Sequence, residues 1–215
     1  MPVPLAHRGT GTGRPIIWLH GASGPSWDPV TAALADQFHS YVPDLRGYGA
    51  SSRQGPYGPE VSAADVIGLL DELGLESAVL AGHSSGGIVA YLAALAHPDR
   101  VSALVLEEAP PPVPHDLRPT RPDGELAYEW AARLATLDWL RAPDPAIWAG
   151  LADLRTPALL IAGGPESHLD QRLLARMAAR MPAAQLRTIG AGHLVHQNRP
   201  AEFVAAVRSF LGPPA

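Results

Sequence analysis

The chain contains no cysteine, and it has few charged or aromatic residues. Among its 215 residues, charged types make up 17% and aromatic types 6%. The absence of cysteine excludes disulfides, thiolate metal sites and cysteine nucleophiles. The net charge is −5, from 16 basic and 21 acidic residues with no basic cluster. This balance argues against nucleic acid or an anionic membrane surface as a partner.

Long apolar runs are also missing. No stretch approaches the length of about 18 residues that a membrane-spanning helix needs, and residues 1–14 lack the apolar centre of a signal peptide. We therefore expect a cytoplasmic protein that does not bind membranes. The hydrophobic fraction of 47% predicts a single globular domain with a sizeable core.

Short apolar runs alternate with segments of helical spacing. Strands are predicted at 15–19, 40–42, 78–81, 103–106, 158–162 and 186–189, with a weaker candidate at 5–8, and helices at 61–73, 85–96, 169–181 and 201–211. Runs that are apolar on both faces are typical of parallel strands covered on both sides. The alternation predicts an α/β fold in which helices cover both faces of a mostly parallel, doubly wound sheet.

One proline-rich segment interrupts this alternation. Six prolines lie within residues 110–122, and the next residues have helical spacing. We predict a short helical lid at 110–150, inserted into a core formed by 1–109 and 151–215. Trp130 and Trp139 of this insertion, and Trp27 near the first strand, are candidates for the substrate pocket wall. The alternative for the tryptophans of the insertion is packing onto the sheet.

The strongest local pattern is GHSSGG at positions 82–87, between a predicted strand and a predicted helix. Gly82 and Gly86 allow the sharp turn that presents Ser84 at its tip as a candidate nucleophile. A serine needs a base. His193 follows the last predicted strand, at the sheet edge where such folds bind ligands. His196, close by, is interpreted as a loop or helix-start residue.

The base needs a carboxylate partner, and two positions remain open. Glu166 follows the strand at 158–162, whereas Glu108 follows the strand at 103–106. We favour Glu166 and keep Glu108 as the alternative. For the oxyanion, the glycine-rich segment after the strand at 15–19 can direct the Ala22 N–H toward the reacting carbonyl, with the Ser85 N–H as second donor.

Taken together, these pieces resemble the α/β-hydrolase superfamily. The resemblance rests on the HG pair at 20–21, DLRGYGAS at 44–51, the GHSSGG turn, GH at 192–193 and NRPAEF at 198–203. It implies Ser84 as nucleophile, His193 as base, and Ala22 and Ser85 as oxyanion donors. Dehalogenases and epoxide hydrolases of that superfamily carry Asp at the turn, so Ser84 favours acyl chemistry.

These patterns predict a serine hydrolase that cleaves a carboxylic ester, thioester or lactone through an acyl-enzyme. The alternatives are a non-hydrolytic or carbon–carbon bond-cleaving enzyme with the same triad, or a ligand-binding protein on this fold. No charged pair is obviously placed to bind a charged group, so we expect an apolar, neutral small-molecule substrate. Nothing in the sequence suggests a metal or an organic cofactor.

Overall fold

A seven-stranded sheet forms the centre of the protein. The structure is a computed structural model that describes residues 1–22, 24, 26–118 and 120–212. Its strands are β1 (His7–Thr10), β2 (Arg14–Leu19), β3 (Phe38–Pro43), β4 (Ala78–His83), β5 (Val101–Glu107), β6 (Ala158–Ala162) and β7 (Ala184–Thr188). The spatial order is β1-β3-β2-β4-β5-β6-β7. Only β1 runs antiparallel to its neighbour.

Helices connect the strands and cover the sheet. They are α1 (Asp28–Leu34), α2 (Pro59–Glu72), α3 (Ser85–Ala96), α4 (Trp130–Arg141), α5 (Pro145–Gly150), α6 (Gln171–Arg180), α7 (Val195–Asn198) and α8 (Pro200–Leu211). One hydrophobic cluster packs the sheet against α1 and α8, and the other packs its opposite face against α2, α3 and α6. The predicted α/β class with two covered faces is confirmed.

The alternation of side chains along β2 explains how one strand serves both clusters. Ile16 and Trp18 belong to the cluster with α1 and α8, whereas Ile17 and Leu19 belong to the other. All four side chains are fully buried. Because successive side chains of a strand point to opposite faces, a continuous apolar run is what a sheet covered on both sides requires.

Each predicted strand boundary lies within two residues of the observed one, and β6 matches its prediction at both ends. The first strand is β1, which begins two residues after the predicted start at Leu5. Its side chains are exposed and those of β7 mostly so, and edge strands of this kind lack a strong apolar pattern. The helix α1 was not predicted because its seven residues are too few to show helical periodicity.

Two helices, α4 and α5, lie in the chain segment between β5 and β6. They contact α2 and α3 respectively, and Tyr128, just before α4, pairs with Tyr48 as an isolated bridge. The helices α4 and α5 of the inserted segment therefore pack on the helices α2 and α3. In the described part of the chain, no helix has the length and apolarity to cross a membrane.

Candidate active site

Ser84 lies at a tight turn between β4 and α3. Its φ of 52° and ψ of −119° fall outside the regions that ordinary side chains adopt. Glycines permit this turn. A Cβ on Gly82 would lie 2.4 Å from the carbonyl carbon of Gly86, and a Cβ on Gly86 would lie 2.3 Å from the carbonyl oxygen of Leu19. The strand–turn–helix context predicted around Ser84 is confirmed.

The carboxylate that contacts His193 belongs to Glu108. Its Oε2 lies 3.2 Å from Nδ1 of His193. Glu108 directly follows β5 and has a φ of 48°, the only positive φ besides Ser84 among the described non-glycine residues. The Glu108 side chain is fully buried, whereas that of His193 is 19% exposed. The carboxylate of the pair is therefore buried at the end of β5, whereas the imidazole can be reached from solvent.

The preference for Glu166 as the partner of His193 is wrong in this geometry. Glu166 is exposed on the loop after β6, and none of the side-chain hydrogen bonds of His193 within the described residues reaches it. The physical reason lies at Gly163, whose N–H donates to Oε1 of Glu108 at 2.6 Å. The loop start is thereby bound to the carboxylate of β5, and the space beside the imidazole is already filled.

Four groups hold the Glu108 carboxylate. The N–H of Gly163, the hydroxyl of Ser167, the amide of Gln171 at 3.2 Å and the His193 ring all donate to it. Burial raises the pKa of Glu108, but these hydrogen bonds outweigh it and leave the pKa below its usual value. An ionised carboxylate facing Nδ1 places the proton of His193 on that nitrogen. The other nitrogen, Nε2, is then free to act as a base.

His83 joins the serine turn to the histidine loop. Its Nε2 lies 2.8 Å from the carbonyl oxygen of His193, and the two rings are 4.7 Å apart. Because His83 directly precedes Ser84, this contact brings the nucleophile's turn beside the base. No hydrogen bond within the described residues joins the Ser84 hydroxyl to His193. Such bonds are often long in the free enzyme and shorten when substrate binds.

The His83 ring is neutral at physiological pH. Burial lowers its pKa to about 4. Because a carbonyl oxygen only accepts, the proton of the neutral ring lies on Nε2 and is donated to His193. The opposite nitrogen, Nδ1, faces the backbone of Gly21, where an added Cβ would approach it to 2.7 Å. His83 therefore packs between two loops of the site.

The His20 ring fixes the loop that carries Ala22. Its Nδ1 donates to the carbonyl of Gly21 at 2.7 Å, and its Nε2 accepts from the N–H of Leu45 at 3.0 Å. In a trans peptide the C=O and the N–H point in opposite directions. Binding the Gly21 carbonyl to His20 therefore turns the N–H of Ala22 away from the protein core. His20 therefore anchors this loop.

Neither of the two predicted oxyanion donors has a partner within the described residues. The N–H groups of Ala22 and Ser85 are absent from the hydrogen bonds of that part of the chain. Ser85 is the first residue of α3, so its N–H has no acceptor one turn earlier in the helix. Within the described residues, both amides are thus available to a ligand.

The three tryptophans predicted for the pocket wall have different positions. Trp27 is 1% exposed and packs against Trp18 at 5.0 Å and His196 at 4.2 Å between ring centroids. The Trp139 indole donates to Glu60 on α2. Neither residue lines the cleft described next, so these two predictions are corrected: Trp27 is part of the core, and Trp139 attaches α4 to α2. Trp130 does line the cleft.

A cleft of about 450 Å³ lies between the loop at residues 20–22, called the oxyanion loop after its predicted role, and the segment that carries α4. It is open to solvent on one side. Three parts of the chain form its walls: the loop that carries Ala22, the proline-rich segment and the first turns of α4. The lining residues are Ala22, Leu117, Arg118, Thr120, Pro122, Tyr128, Trp130, Arg133 and Leu137. Ala22 is the point at which this cleft meets the predicted reaction centre.

A second histidine–glutamate pair lies beside the first. Nδ1 of His196 is 2.7 Å from Oε2 of Glu107, and its Nε2 is 2.7 Å from the hydroxyl of Ser26. Both partners of the histidine–glutamate pair are fully buried. The sequence reasoning missed this cluster. The adjacent glutamates at the end of a strand and the spacing of the two histidines were the signals that could have indicated it.

Arg46 and Asp65 form a buried bidentate ion pair with N–O distances of 2.6 Å and 2.8 Å. The Arg46 side chain therefore binds the DLRGYGAS segment to α2.

Among the residues that the structure describes, no three His, Asp or Glu side chains form a group that could hold a metal ion.

Comparison with known proteins now identifies the family. The model described as "Alpha/beta hydrolase family" matches residues 16–207. The chain belongs to the alpha/beta hydrolase family. As a member of this family it is similar in sequence to enzymes of known name. The sn-1-specific diacylglycerol lipase of Mus musculus is 27% identical over 98% of this chain and 86% of the lipase.

Two more relatives extend the comparison. The N-formylmaleamate deformylase of Pseudomonas putida is 30% identical over 95% of this chain and 91% of its own length. Among solved structures, a thermophilic esterase from Thermogutta terrifontis superposes with a TM-score of 0.82 at 26% identity, covering 96% of this chain and 92% of the esterase. These relatives all carry the names of hydrolases.

Proposed function

We propose that this alpha/beta hydrolase is a serine hydrolase that cleaves a carboxylic ester, thioester or lactone through an acyl-enzyme. The observation that carries the proposal is the Glu108–His193 pair, connected through His83 to the strained turn of Ser84. Strain of this kind persists where the surrounding structure holds it, and it is concentrated at functional sites.

In the proposed first step, the Ser84 oxygen attacks the carbonyl carbon while Nε2 of His193 takes the hydroxyl proton. Glu108 stabilises the imidazolium that results. The carbonyl oxygen becomes negative and accepts from the N–H groups of Ala22 and Ser85. The tetrahedral intermediate then expels the alcohol or thiol, which takes the proton back from His193, and the acyl group stays on Ser84.

In the second step, a water molecule takes the place of the alcohol. His193 removes a proton from this water as it attacks the acyl carbon, and returns that proton to the Ser84 oxygen when the acid leaves. The enzyme is regenerated with one ester bond hydrolysed. Residues 110–150 are proposed to act as a short lid whose cleft receives the substrate. The relatives include an esterase and a lipase, which supports this ester chemistry.

Substitution of the nucleophile tests the proposal. We expect Ser84→Ala to lower kcat/KM for 4-nitrophenyl butyrate by at least about 10³-fold, because the acyl-enzyme cannot form. A fluorophosphonate probe should label the wild-type protein on the peptide that contains Ser84, as read by mass spectrometry. The matched control is Ser209→Ala, at an exposed position of α8, which should leave rate and labelling unchanged.

Three outcomes would count against the proposal. Unchanged hydrolysis by Ser84→Ala would remove this serine from the mechanism. Complete absence of labelling in the wild-type protein would favour a ligand-binding role. Cleavage of diketones without any ester turnover would favour the carbon–carbon bond-cleaving alternative.

A further inference from the structure

The cleft above the reaction centre is positively charged. Its walls include the guanidinium groups of Arg133 and Arg118, and no acidic residue belongs to the lining within the described chain. This arrangement stands out because the whole protein has a net charge of −5. The two arginines differ in character. Arg118 is 88% exposed and lies 3.7 Å from Asp116, whereas Arg133 is half-buried.

Arg133 has no carboxylate partner in the described part of the chain. None of the salt bridges there includes it. By contrast, Arg141 on the same helix is paired with Asp138 and also donates to the carbonyl of Leu117. No carboxylate of the described residues therefore neutralises the charge of Arg133, and a guanidinium in a cleft wall is suited to bind an anionic group of a ligand.

Arg133 lines the same cleft as Ala22, the predicted oxyanion donor. Its charge also acts on Tyr48, whose ring lies 4.8 Å from that of His20. It acts likewise on His168, whose ring lies 4.1 Å from that of His193. The guanidinium is therefore within electrostatic reach of side chains that pack against His20 and against the predicted base.

The pKa values of these two neighbours follow their surroundings. Burial raises the pKa of Tyr48 to about 12, and the charge of Arg133 opposes this rise. The phenol is thus neutral and can donate a hydrogen bond at physiological pH. Burial is the largest cause of the lowered pKa of His168, and the charges of His193 and Arg133 lower it further.

We propose that Arg133 binds a carboxylate of the substrate, so that the hydrolase acts on esters, thioesters or lactones that carry a free acid group. This inference rests on the proposed function and names the substrate class for the same site. It replaces the expectation of a neutral substrate. The guanidinium binds carboxylates through two parallel hydrogen bonds. The apolar walls of the cleft, Trp130 and Leu137 among them, leave room for a short carbon chain between this acid group and the reacting carbonyl.

The experiment compares esters that differ only in charge. The mono-4-nitrophenyl esters of succinate, glutarate and adipate each have a methyl ester as a neutral counterpart. The pair 4-acetoxybenzoate and methyl 4-acetoxybenzoate places the charge on the alcohol part instead. In wild-type protein we expect kcat/KM for the best anionic ester to exceed that for its neutral counterpart by roughly tenfold or more, as one charge-assisted hydrogen-bonded pair provides.

Variants of Arg133 sharpen the comparison. Arg133→Gln should remove this preference while changing kcat/KM for the neutral ester by less than about threefold, because the neutral ester makes no ionic contact. Arg133→Lys should keep part of the preference, since the charge remains but the planar fork is lost. The control is Arg187→Gln, at an exposed position of β7, which changes the net charge equally and should leave the preference intact.

A binding measurement separates this proposal from the proposed function. Calorimetric titration of Ser84→Ala protein with glutarate needs no turnover, and we expect binding that Arg133→Gln weakens about tenfold or more. If neither ester is hydrolysed but glutarate binds through Arg133, the anion site stands and the hydrolase proposal fails. If neutral and anionic esters of every length are hydrolysed equally, the hydrolase stands and the carboxylate proposal is overturned. Equal losses for both esters in Arg133→Gln would also overturn it.

Discussion

Two histidine–glutamate pairs lie side by side at the end of β5, and they differ in what surrounds the histidine. Glu107 and Glu108 are consecutive and both fully buried. The partner of Glu107, His196, is buried under Trp27 and bound by Ser26. The partner of Glu108, His193, is 19% exposed at the sheet edge. The same pair of side chains therefore serves packing at one position and is available for chemistry at the other.

The difference teaches that a carboxylate–imidazole contact alone does not identify a catalytic pair. The His196–Glu107 contact is the shorter of the two, at 2.7 Å against 3.2 Å for His193–Glu108. Its imidazole, however, already has both nitrogens bound by protein groups. A base needs one free nitrogen that substrate can reach, and that requirement selects His193.

The largest expected effect comes from breaking the Glu108–His193 pair, the proposed catalytic pair. We expect Glu108→Gln to lower kcat by about 10²- to 10⁴-fold, because a neutral amide neither fixes the tautomer of His193 nor stabilises its charged form. The control is Glu166→Gln, which should change kcat less than about threefold, since its side chain is exposed and makes no hydrogen bond to His193 within the described residues. Steady-state hydrolysis of 4-nitrophenyl butyrate measures both. The reverse ranking would restore Glu166 as the partner.

Loss of the Glu107–His196 pair should lower the stability of the protein more than its rate of hydrolysis. We expect Glu107→Ala to lower the free energy of unfolding by about 2–4 kcal/mol, because it leaves a cavity and two unsatisfied N–H groups of His196. Those groups are the ring Nδ1–H and the backbone N–H, which lies 2.8 Å from the carboxylate. Urea unfolding measures the loss. Glu202→Ala, at an exposed position of α8, is the control and should stay within about 0.5 kcal/mol of wild type.

Retention of full stability by Glu107→Ala would contradict the division between the two pairs. So would a loss of kcat in the folded variant as large as that of Glu108→Gln.

The smallest expected effect concerns His83, whose ring lies 4.7 Å from that of His193 and 5.2 Å from that of His196. Its pKa is lowered from 6.5 to about 4 in the folded protein. On acidification the unfolded chain therefore binds this proton first. The stability is complete above pH 6.5 and declines below it, and His83 alone accounts for about 2 kcal/mol between pH 7 and pH 5.

Urea unfolding at pH 7 and pH 5 checks this value against His83→Gln, whose decline should be smaller by that amount. His20, whose pKa is also lowered by burial, adds to the decline in both proteins and cancels in the comparison. Glu108 contributes little in this range, because the stability from its lowered pKa is lost only below its ordinary value of 4.5. Equal declines in both proteins would show that His83 does not titrate as described.

The sequence predicted those parts of the molecule that local pattern determines. The central strands and the turn at Ser84 follow from apolar runs and from glycines next to polar residues. The choice between Glu108 and Glu166 does not. Both follow a strand at the same sheet edge, and only the three-dimensional path of the backbone decides which carboxylate faces the imidazole.

The tryptophans illustrate the same limit. Trp27 follows the oxyanion loop closely in sequence, yet it turns into the core beside Trp18 and His196. Proximity along the chain does not determine which face of the sheet a side chain meets when a turn lies between. That Arg133 has no carboxylate partner among the described residues was likewise not predictable, because ion pairs depend on the folded surface and not only on neighbouring residues of a helix.

The backbone geometry at Ser84 and Glu108 has a consequence for attempts to make this protein more robust. Both residues hold a conformation that glycine would adopt with less strain. Screening for thermal resistance alone would therefore favour glycine at 84, where no hydrogen bond within the described residues holds the hydroxyl, and this replacement removes the proposed nucleophile. At 108 the four donors to the buried carboxylate oppose the same change. Selection for stability and selection for turnover therefore favour different residues at position 84.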